Sequence, residues 1–343
     1  MKPSRTFMLV VLLALLIWGC GPSPEQISAM TAAAWTPTPP PTPTPTPAPF
    51  DLVVSIVDEA NAPVAGASIV FPESGDGTAV QADDQGKYSW TNLPGDAVTL
   101  NVTAQGYIAA EQTATLNRGP NEITVALERD PFGILPVEAC KPGENVLYLE
   151  DFQDGEAQDW PMMSASITGD MPGGWNLMDD NGNKILKIAD APTSGNDELQ
   201  NHTFDNFMWR TKFSVTGNDA DMFFMWRISH TDDGSRKRVV TVLGAANKPW
   251  MVRFLDSSTG PMAMNTAENG AMLNQGQWYD LVVTYFNGVH QVWYDGKLQL
   301  SYEDSSPFPA GTIGFEVHLE PGKVTQFLID DMVVCELAAP YQP

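Results

Sequence analysis

Near the carboxyl end, Glu316-Val317-His318-Leu319-Glu320 sets two carboxylates and an imidazole at every second residue. On a strand, successive side chains point to opposite faces, so this spacing puts Glu316, His318 and Glu320 on one side of a sheet. Two carboxylates flanking a scissile bond are the equipment of glycoside hydrolysis. Pro321 follows at once, which points to a strand already turning. Metal and serine chemistry are less well served. The four histidines, His202, His230, His290 and His318, show no metal-ligand spacing, and no Gly-x-Ser-x-Gly elbow occurs.

Binding without turnover needs flat aromatic faces for the C–H patches of a sugar and planar polar groups for its hydroxyls. Candidates are the residues in phase with polar neighbours. Arg210 alternates with Lys212, Arg227 follows Trp226, and Trp250 and Arg253 flank an apolar pair. Tyr294 is in phase with His290, and Glu316 with His318. Trp209 and Trp278 sit on apolar alternation and read as core.

The elements that position these residues are strands. Trp278 to Phe286, Val289 to Tyr294 and Lys297 to Tyr302 are joined by Asn287-Gly288 and Asp295-Gly296, dipeptides that tolerate the positive φ of tight hairpins. From Thr312 to Leu319, Ile313, Phe315, Val317 and Leu319 alternate with polar or small residues, which describes one layer of a sandwich. A last run, Val324 to Glu336, follows the turn signal Pro321-Gly322.

A chain of 343 residues has room for two domains. Its 42 acidic side chains against 18 basic ones give a formal charge of -24 and no basic stripe, which excludes nucleic acid and anionic lipid surfaces as electrostatic partners. The acidity serves solubility or, in part, holds calcium. Abundant Thr, Asn, Gly and aromatics suit an extracellular β protein.

At the amino end, Lys2 and Arg5 precede an apolar run from Phe7 to Trp18. That run is shorter than the roughly 20 residues of a membrane span and reads as an export leader over residues 1–20. Ile17-Trp18-Gly19-Cys20 resembles the bacterial lipoprotein box, apart from Trp18 where a small residue is usual. The resemblance implies lipidation of Cys20 and a cell surface location, anchored to the membrane through lipid alone. Residues 21–49 read as a Pro/Thr-rich linker, in which Thr36 to Pro49, with Pro and Thr nearly alternating, is expected to be an extended polyproline stalk.

Between residues 50 and 130, short β runs recur at Leu52 to Val57, Ala67 to Phe71, Lys87 to Thr91, Val98 to Ala104 and Glu122 to Leu127. Turn residues separate them, so a small β-sandwich is expected. Val57-Asp58, Pro63-Val64, Gly66-Ala67, Asp83, Gly86, Tyr88, Leu93-Pro94-Gly95, Val102, Ala104 and Gly106-Tyr107 resemble the carboxypeptidase regulatory-like (transthyretin-like) family. The resemblance implies a non-catalytic spacer or adhesion module.

A Pro- and Gly-containing linker, residues 131–144, leads to a second unit at residues 145–338. Strands are expected at Val146 to Phe152, Lys184 to Ile188, Phe207 to Val215, Met222 to Ser229, Arg238 to Leu243 and Trp250 to Leu255, before the meander. That number fits a jelly roll, and the whole chain is all-β. Glu150-Asp151-Phe152 with Asp154-Gly155 and Trp160, Gln277 to Leu281, Val292 to Gly296, Gly311 to Phe315 and Ile329 to Val334 resemble the concanavalin A-like lectin/glucanase and laminin G-like group, including 3-keto-disaccharide hydrolase-like domains.

In such jelly rolls the first and last strands lie side by side, which implies a disulfide between Cys140 and Cys335. Related carbohydrate-binding jelly rolls place a structural Ca2+ near the entering and leaving carboxylates, here Asp151 and Asp330. Retaining glucanases of this fold carry Glu-x-Asp-x-Glu, from which this chain departs by His318 in the centre and by the segment's late position. The adopted reading is a surface lipoprotein whose jelly roll binds a glycan or polysaccharide. Hydrolysis through Glu316, His318 and Glu320 is one alternative, and a structural or adhesive module without glycan binding is the other.

Overall fold

Leu52, Val54 and Ile56 alternate along the first strand, and all three are fully buried. The computed structural model that shows this describes residues 48–71, 78–168, 174–189, 195–217, 220–243, 249–255, 260, 262–266, 271–319 and 325–343. The leader, Cys20, the stalk up to residue 47 and Glu320 lie outside the described residues. Pro49–Pro343 cluster as one compact unit that holds both sandwiches.

The first sandwich contains β1 (Phe50–Asp58), β2 (Ser68–Val70), β3 (Val80–Gln81), β4 (Lys87–Leu93), β5 (Ala97–Thr103), β6 (Ala110–Thr115) and β7 (Gly119–Leu127). One sheet has the order β4-β1-β7, with β1 and β7 parallel, and the other has the order β3-β2-β5-β6. Val98, Leu100 and Val102 of β5 answer the apolar row of β1 across the core. Five of these strands follow from apolar alternation. Strand β6 does not, because an edge strand half-buries Ala110, Gln112 and Ala114, which carry no strong apolar signal. Gly86 is required where it stands: its φ is +66°, and a Cβ there would lie 2.5 Å from the Ile56 carbonyl oxygen.

The second sandwich follows a short helix, α1 (Pro136–Ala139). Its elements are β8 (Val146–Glu150), α2 (Pro161–Ile167), β9 (Trp175–Asp180), β10 (Asn183–Ala189), β11 (Gly195–Glu198), β12 (Phe207–Thr216), β13 (Ala220–His230), β14 (Arg236–Leu243), β15 (Trp250–Phe254) and β16 (Met262–Thr266). Then come β17 (Trp278–Phe286), β18 (Val289–Tyr294), β19 (Lys297–Glu303), β20 (Thr312–Leu319) and β21 (Gln326–Glu336). One sheet runs β19-β18-β17-β12-β21-β10-β9, with β8 also paired to β21, and the other runs β11-β20-β13-β14-β15-β16. The non-sequential neighbours β12 with β21 and β20 with β13 are the crossovers of a jelly roll. In the two hairpin turns, Asn287, Gly288, Asp295 and Gly296 all have positive φ, as their residue types require.

Between the sheets lies an aromatic core. Phe315 packs with ring centroids 5.2 Å from Trp160, 5.1 Å from Trp209 and 5.0 Å from Phe224, and all four residues are buried. Each such side chain contributes on the order of 2 to 3 kcal/mol of hydrophobic stabilisation. Trp209 is core, as its alternation indicates. Trp278 corrects the expectation, being 38% exposed at the first position of β17, where the next residue, Tyr279, takes the inward place.

The outer face of the larger sheet is covered as well. Ala139 of α1, together with Ile134, Cys140 and Tyr341, packs on Met208, Val282, Val333 and Trp293. Cys140 and Cys335 are disulfide-bonded, closing a sequence separation of 195 residues. Val146 of β8 sits opposite Cys335 of β21, so the first and last strands are neighbours. Loop-closure entropy for so long a span gives about 5 kcal/mol of stabilisation. Replacing both cysteines with serine is expected to lower the urea midpoint accordingly. In the denatured, unreduced protein, peptide mapping is expected to find Cys140 and Cys335 inaccessible to thiol reagents; two reactive thiols there would contradict the bond.

Candidate functional site

Strand alternation on β20 turns Ile313, Phe315 and Val317 into the core and leaves Glu316 and His318 on the outer face of the six-stranded sheet. Register across the sheet then decides their neighbours. Phe223 of β13 lies opposite Glu316, Val242 of β14 opposite Phe223, and Trp250 of β15 opposite Val242. Asn196 of β11 flanks Glu316 on the other side, and Glu198 flanks Gly314. A Cβ on Gly314 would stand 2.7 Å from the Asp197 carbonyl oxygen, so glycine permits β11 to approach this closely.

The polar groups on this face form a continuous ladder. Arg236 Nη1 donates to Glu198 Oε1 at 2.7 Å, and its Nη2 donates to Glu316 Oε2 at 3.0 Å. Arg238 Nη2 reaches the same Glu316 oxygen at 3.4 Å, and its guanidinium lies over the Phe254 ring, 4.1 Å from the centroid. His318 Nε2 is 2.8 Å from Glu316 Oε1, and His230 Nε2 is 2.8 Å from Glu198 Oε2. The carboxylates and guanidiniums are mostly shielded, while the side chains of His230 and His318 are 57% and 48% exposed. Beside the ladder, half-buried Phe223, Trp250 and Phe254 pack on a buried floor of Met225, Ile228, Val240, Val242 and Val252. The face therefore combines planar hydrogen-bonding groups with an apolar, aromatic platform.

Burial alone would raise the Glu316 carboxyl, but the hydrogen bond with His318 and the charges of Arg238 and Arg236 hold it below the usual carboxylate range. A general acid needs the opposite shift. Glu316 is thus poised to accept hydrogen bonds and poorly suited to donate a proton. Glu320, the other carboxylate of the alternating motif, lies outside the described residues.

Of the residues singled out from sequence for ligand contact, Trp250, Glu316 and His318 share this face. The others do not. Arg210 lies on the eight-stranded sheet, where its Nη2 donates to the Ala139 carbonyl at 3.4 Å beneath the α1 segment. Arg227 is buried, with Nε donating to the Phe308 carbonyl at 2.6 Å and the guanidinium 3.8 Å from the Tyr285 centroid. A bulge explains this placement: the register shifts after Trp226, and Arg227 has φ +52°, so strict alternation fails there. Arg253 is half-buried and paired with Asp304 at 3.2 Å. Tyr294 does share a face with His290, but that face is the inner one, and both are buried. His290 tolerates burial because its Nδ1 accepts the Trp226 Nε1–H at 2.9 Å. The contributors hidden from sequence reasoning were Glu198, Arg236 and His230. Arg236 and Arg238 do alternate after the Asp233-Gly234 turn, which was a usable signal. Gly195-Asn196-Asp197-Glu198 reads as a turn, so Glu198 had none.

The carboxylates expected by resemblance to hold calcium, Asp151 and Asp330, both accept hydrogen bonds from protein donors. Asp151 Oδ2 accepts from Gln105 Nε2 at 2.6 Å and from the Ile134 N–H at 2.8 Å, and its Oδ1 accepts from the Gln153 N–H at 3.2 Å. Asp330 Oδ2 accepts from Asn183 Nδ2 and Oδ1 from the Asp331 N–H, each at 3.0 Å. Among the described residues no three His, Cys, Asp or Glu converge as a cation site. Calcium takes six to eight oxygens, whereas these carboxylate oxygens already face N–H donors.

These buried carboxyls set a pH dependence. Burial pushes Glu150 up to about 8 and Asp330 up to about 7, and it holds His290 down to about 4. A carboxyl whose folded pKa is raised stabilises the fold while protonated, and that contribution is lost as pH rises through the folded value. The His290 contribution is instead complete above its unfolded pKa of about 6.5 and is lost as pH falls toward 4. Between pH 6.5 and 8 only the carboxyls change, so urea-unfolding stability is expected to fall across that window, by at most about 1.4 kcal/mol per pH unit per group. A flat or rising profile would contradict the assignment. Added chelator is expected to leave the melting temperature unchanged; a drop of several degrees would show that these carboxylates hold a cation.

Comparison with known proteins bears on both sandwiches. Residues 51–128 match the family model of the carboxypeptidase regulatory-like domain. No curated protein matches the chain. Similar solved structures include the carbohydrate binding module CBM66 from Bacillus subtilis, at 12% identity over 47% of this chain and 95% of that one, with a TM-score of 0.36. A Bacillus subtilis protein of unknown function with a galectin-like fold is 13% identical over 55% of this chain and 97% of its own, with a TM-score of 0.39. The Bacillus licheniformis beta-glucanase is 9% identical over 58% and 100%, with a TM-score of 0.34. At these scores the structural likenesses carry no inference about function. Over the described residues the protein is nearly all β, and a sandwich that matches the carboxypeptidase regulatory-like domain precedes a jelly roll.

Proposed function

We propose that the jelly roll binds a neutral glycan, without cleaving it, on the outer face of its six-stranded sheet. The observation that carries this reading is the Glu198–Arg236–Glu316–His318 ladder lying beside Phe223, Trp250 and Phe254. Each carboxylate keeps lone pairs for sugar hydroxyls, and the exposed imidazole rims offer further donors and acceptors. The apolar platform supplies the surface on which the C–H face of a pyranose stacks. Two arginines balance two glutamates, so the ladder has no net charge for recruiting an anionic polymer, and the chain's charge of -24 disfavours one.

Hydrolysis is the alternative with an observation behind it, since Glu198 and Glu316 stand on either side of one guanidinium. Arg236 pairs with both and Arg238 with Glu316, and the lowered Glu316 pKa makes that residue a poor general acid for glycoside cleavage. Binding is therefore favoured over turnover.

The same proposal places the protein at the cell surface, held by lipid on Cys20 with the Pro/Thr segment as a spacer, on the strength of the leader pattern alone. Metabolic labelling with a fatty acid is expected to mark the wild type and not Cys20→Ser; equal labelling would contradict lipidation at that residue. On a glycan array, the protein is expected to retain a restricted set of neutral glycans. Trp250→Ala and Glu316→Gln are expected to weaken that binding at least tenfold, with no reducing-sugar release from wild type or variant. Release that Glu316→Gln abolishes would favour the hydrolase, and an array with no retained glycan would favour a structural module.

A further inference from the structure

Where the two sandwiches meet, a cleft of about 700 Å3 lies between the segment that follows β5 and the loop that follows β8. Its two walls are tied together. Asp151 of the jelly roll accepts from Gln105 of the first sandwich at 2.6 Å and from the linker N–H of Ile134 at 2.8 Å. Arg129 Nη1 donates to the Gly106 carbonyl at 2.6 Å, and the Asp130 N–H donates to the same carbonyl at 3.1 Å. Gly133 packs so closely on Gly106 that a Cβ would lie 2.9 Å from its Cα. With Asp151 buried beneath it, the cleft is preformed, and its volume falls in the range of about 300–1,000 Å3 common to small-ligand sites at domain junctions.

The lining specifies a chemistry. Ser68, Gln81, Thr103 and Gln105 present neutral hydroxyl and amide groups, while Asp130 and Glu156 present acceptors. Among the described residues of the lining Lys184 is the one cationic side chain, and its Nζ donates to the Gln153 carbonyl at 2.5 Å. Phosphate and carboxylate ligands would therefore meet Asp130, Asp154 and Glu156 against one lysine, an unfavourable balance of charge. A metal ion is poorly served too, because Asp130 Oδ1 accepts the Phe132 N–H and Asp154 Oδ1 the Glu156 N–H, each at 2.9 Å. Against these polar groups stands Ile108, 47% exposed beside Tyr107, Ala104 and Ala109. Ile108 with Tyr107, Ala104 and Ala109 gives one wall of the polar cleft a run of apolar surface on which a C–H face of a ligand can rest.

We infer that this junction cleft is a second saccharide site, taking a short neutral oligosaccharide whose hydroxyls meet the amide and carboxylate groups and whose C–H face rests on Ile108. It is separate from the outer face of the six-stranded sheet and does not depend on that face binding anything. The first sandwich is then half of a binding site as well as a spacer.

The test is calorimetric titration of the whole protein with cellotriose, maltotriose and mannotriose, in a background carrying Trp250→Ala and Glu316→Gln so that the outer face is silenced. At least one trisaccharide is expected to bind saturably, with one site per chain. Ala109→Trp, which fills the cleft from an exposed position, is expected to weaken it at least tenfold, and Ile108→Ser to weaken it severalfold. Hydrogen exchange is expected to slow at residues 103–109 and 153–156 on binding. The inference is overturned if no trisaccharide binds in the silenced background, if Ala109→Trp binds as tightly as its parent, or if spermidine or Ca2+ gives the exchange footprint and the sugars do not.

Discussion

The placement of Phe315 is the constraint on which the rest of the jelly roll depends. Surrounded by Trp160, Trp209 and Phe224, it has one orientation compatible with a packed core, and strand geometry then sends Glu316 and His318 the other way. A slip of one residue in β20 would bury a carboxylate and an imidazole and expose three large apolar side chains. Hydrophobic packing on one side of the sheet thereby positions the polar chemistry on the other. The ladder Glu198–Arg236–Glu316 follows from it, because β11 and β14 reach the face of β20 only in the register that the core selects.

Two kinds of polar burial separate the working face from the scaffold. Arg227, His290, Asp304 and Tyr294 are buried, Arg227 on the Phe308 carbonyl and the Tyr285 ring, His290 on the Trp226 indole, Asp304 on Arg253 and Tyr294 against the Tyr279 ring. Their burial costs desolvation, which the hydrogen bonds made by Arg227, Asp304 and His290 Nδ1 offset. On the outer face of the six-stranded sheet, the charged groups are paired with one another yet edged by exposed histidines. Paired and rimmed by water, they can exchange hydrogen bonds with a polyhydroxylated partner at small net cost.

Much of this architecture could be inferred before any coordinates. Asn287-Gly288 and Asp295-Gly296 fix a meander because positive φ is cheap at those residues, and the alternation from Thr312 to Val317 identifies both faces of β20. Cys140 and Cys335 are joined because β8 and β21 are neighbours. The errors in the site have specific causes. Arg227 was placed by alternation across a bulge that breaks it, and Tyr294 was placed beside a histidine assumed to be wet that is in fact dry. Glu198 comes from four residues of turn-like composition that pair only because β20 offers an edge, a long-range fact with no local signal. Asp151 and Asp330, expected by resemblance to hold a cation, accept from N–H groups that the sequence does not reveal, and for Asp151 two of these belong to the first sandwich and the linker.

In the proposed function, the outer face of the six-stranded sheet grips a glycan that leaves intact. Hydroxyl-radical footprinting of the protein with and without a glycan it retains, with mass analysis of that glycan afterwards, addresses this directly. The predicted result is protection of Trp250, Phe223 and His318, with the glycan recovered at its starting mass. Unchanged labelling at those three residues, or a glycan recovered in fragments, would contradict it.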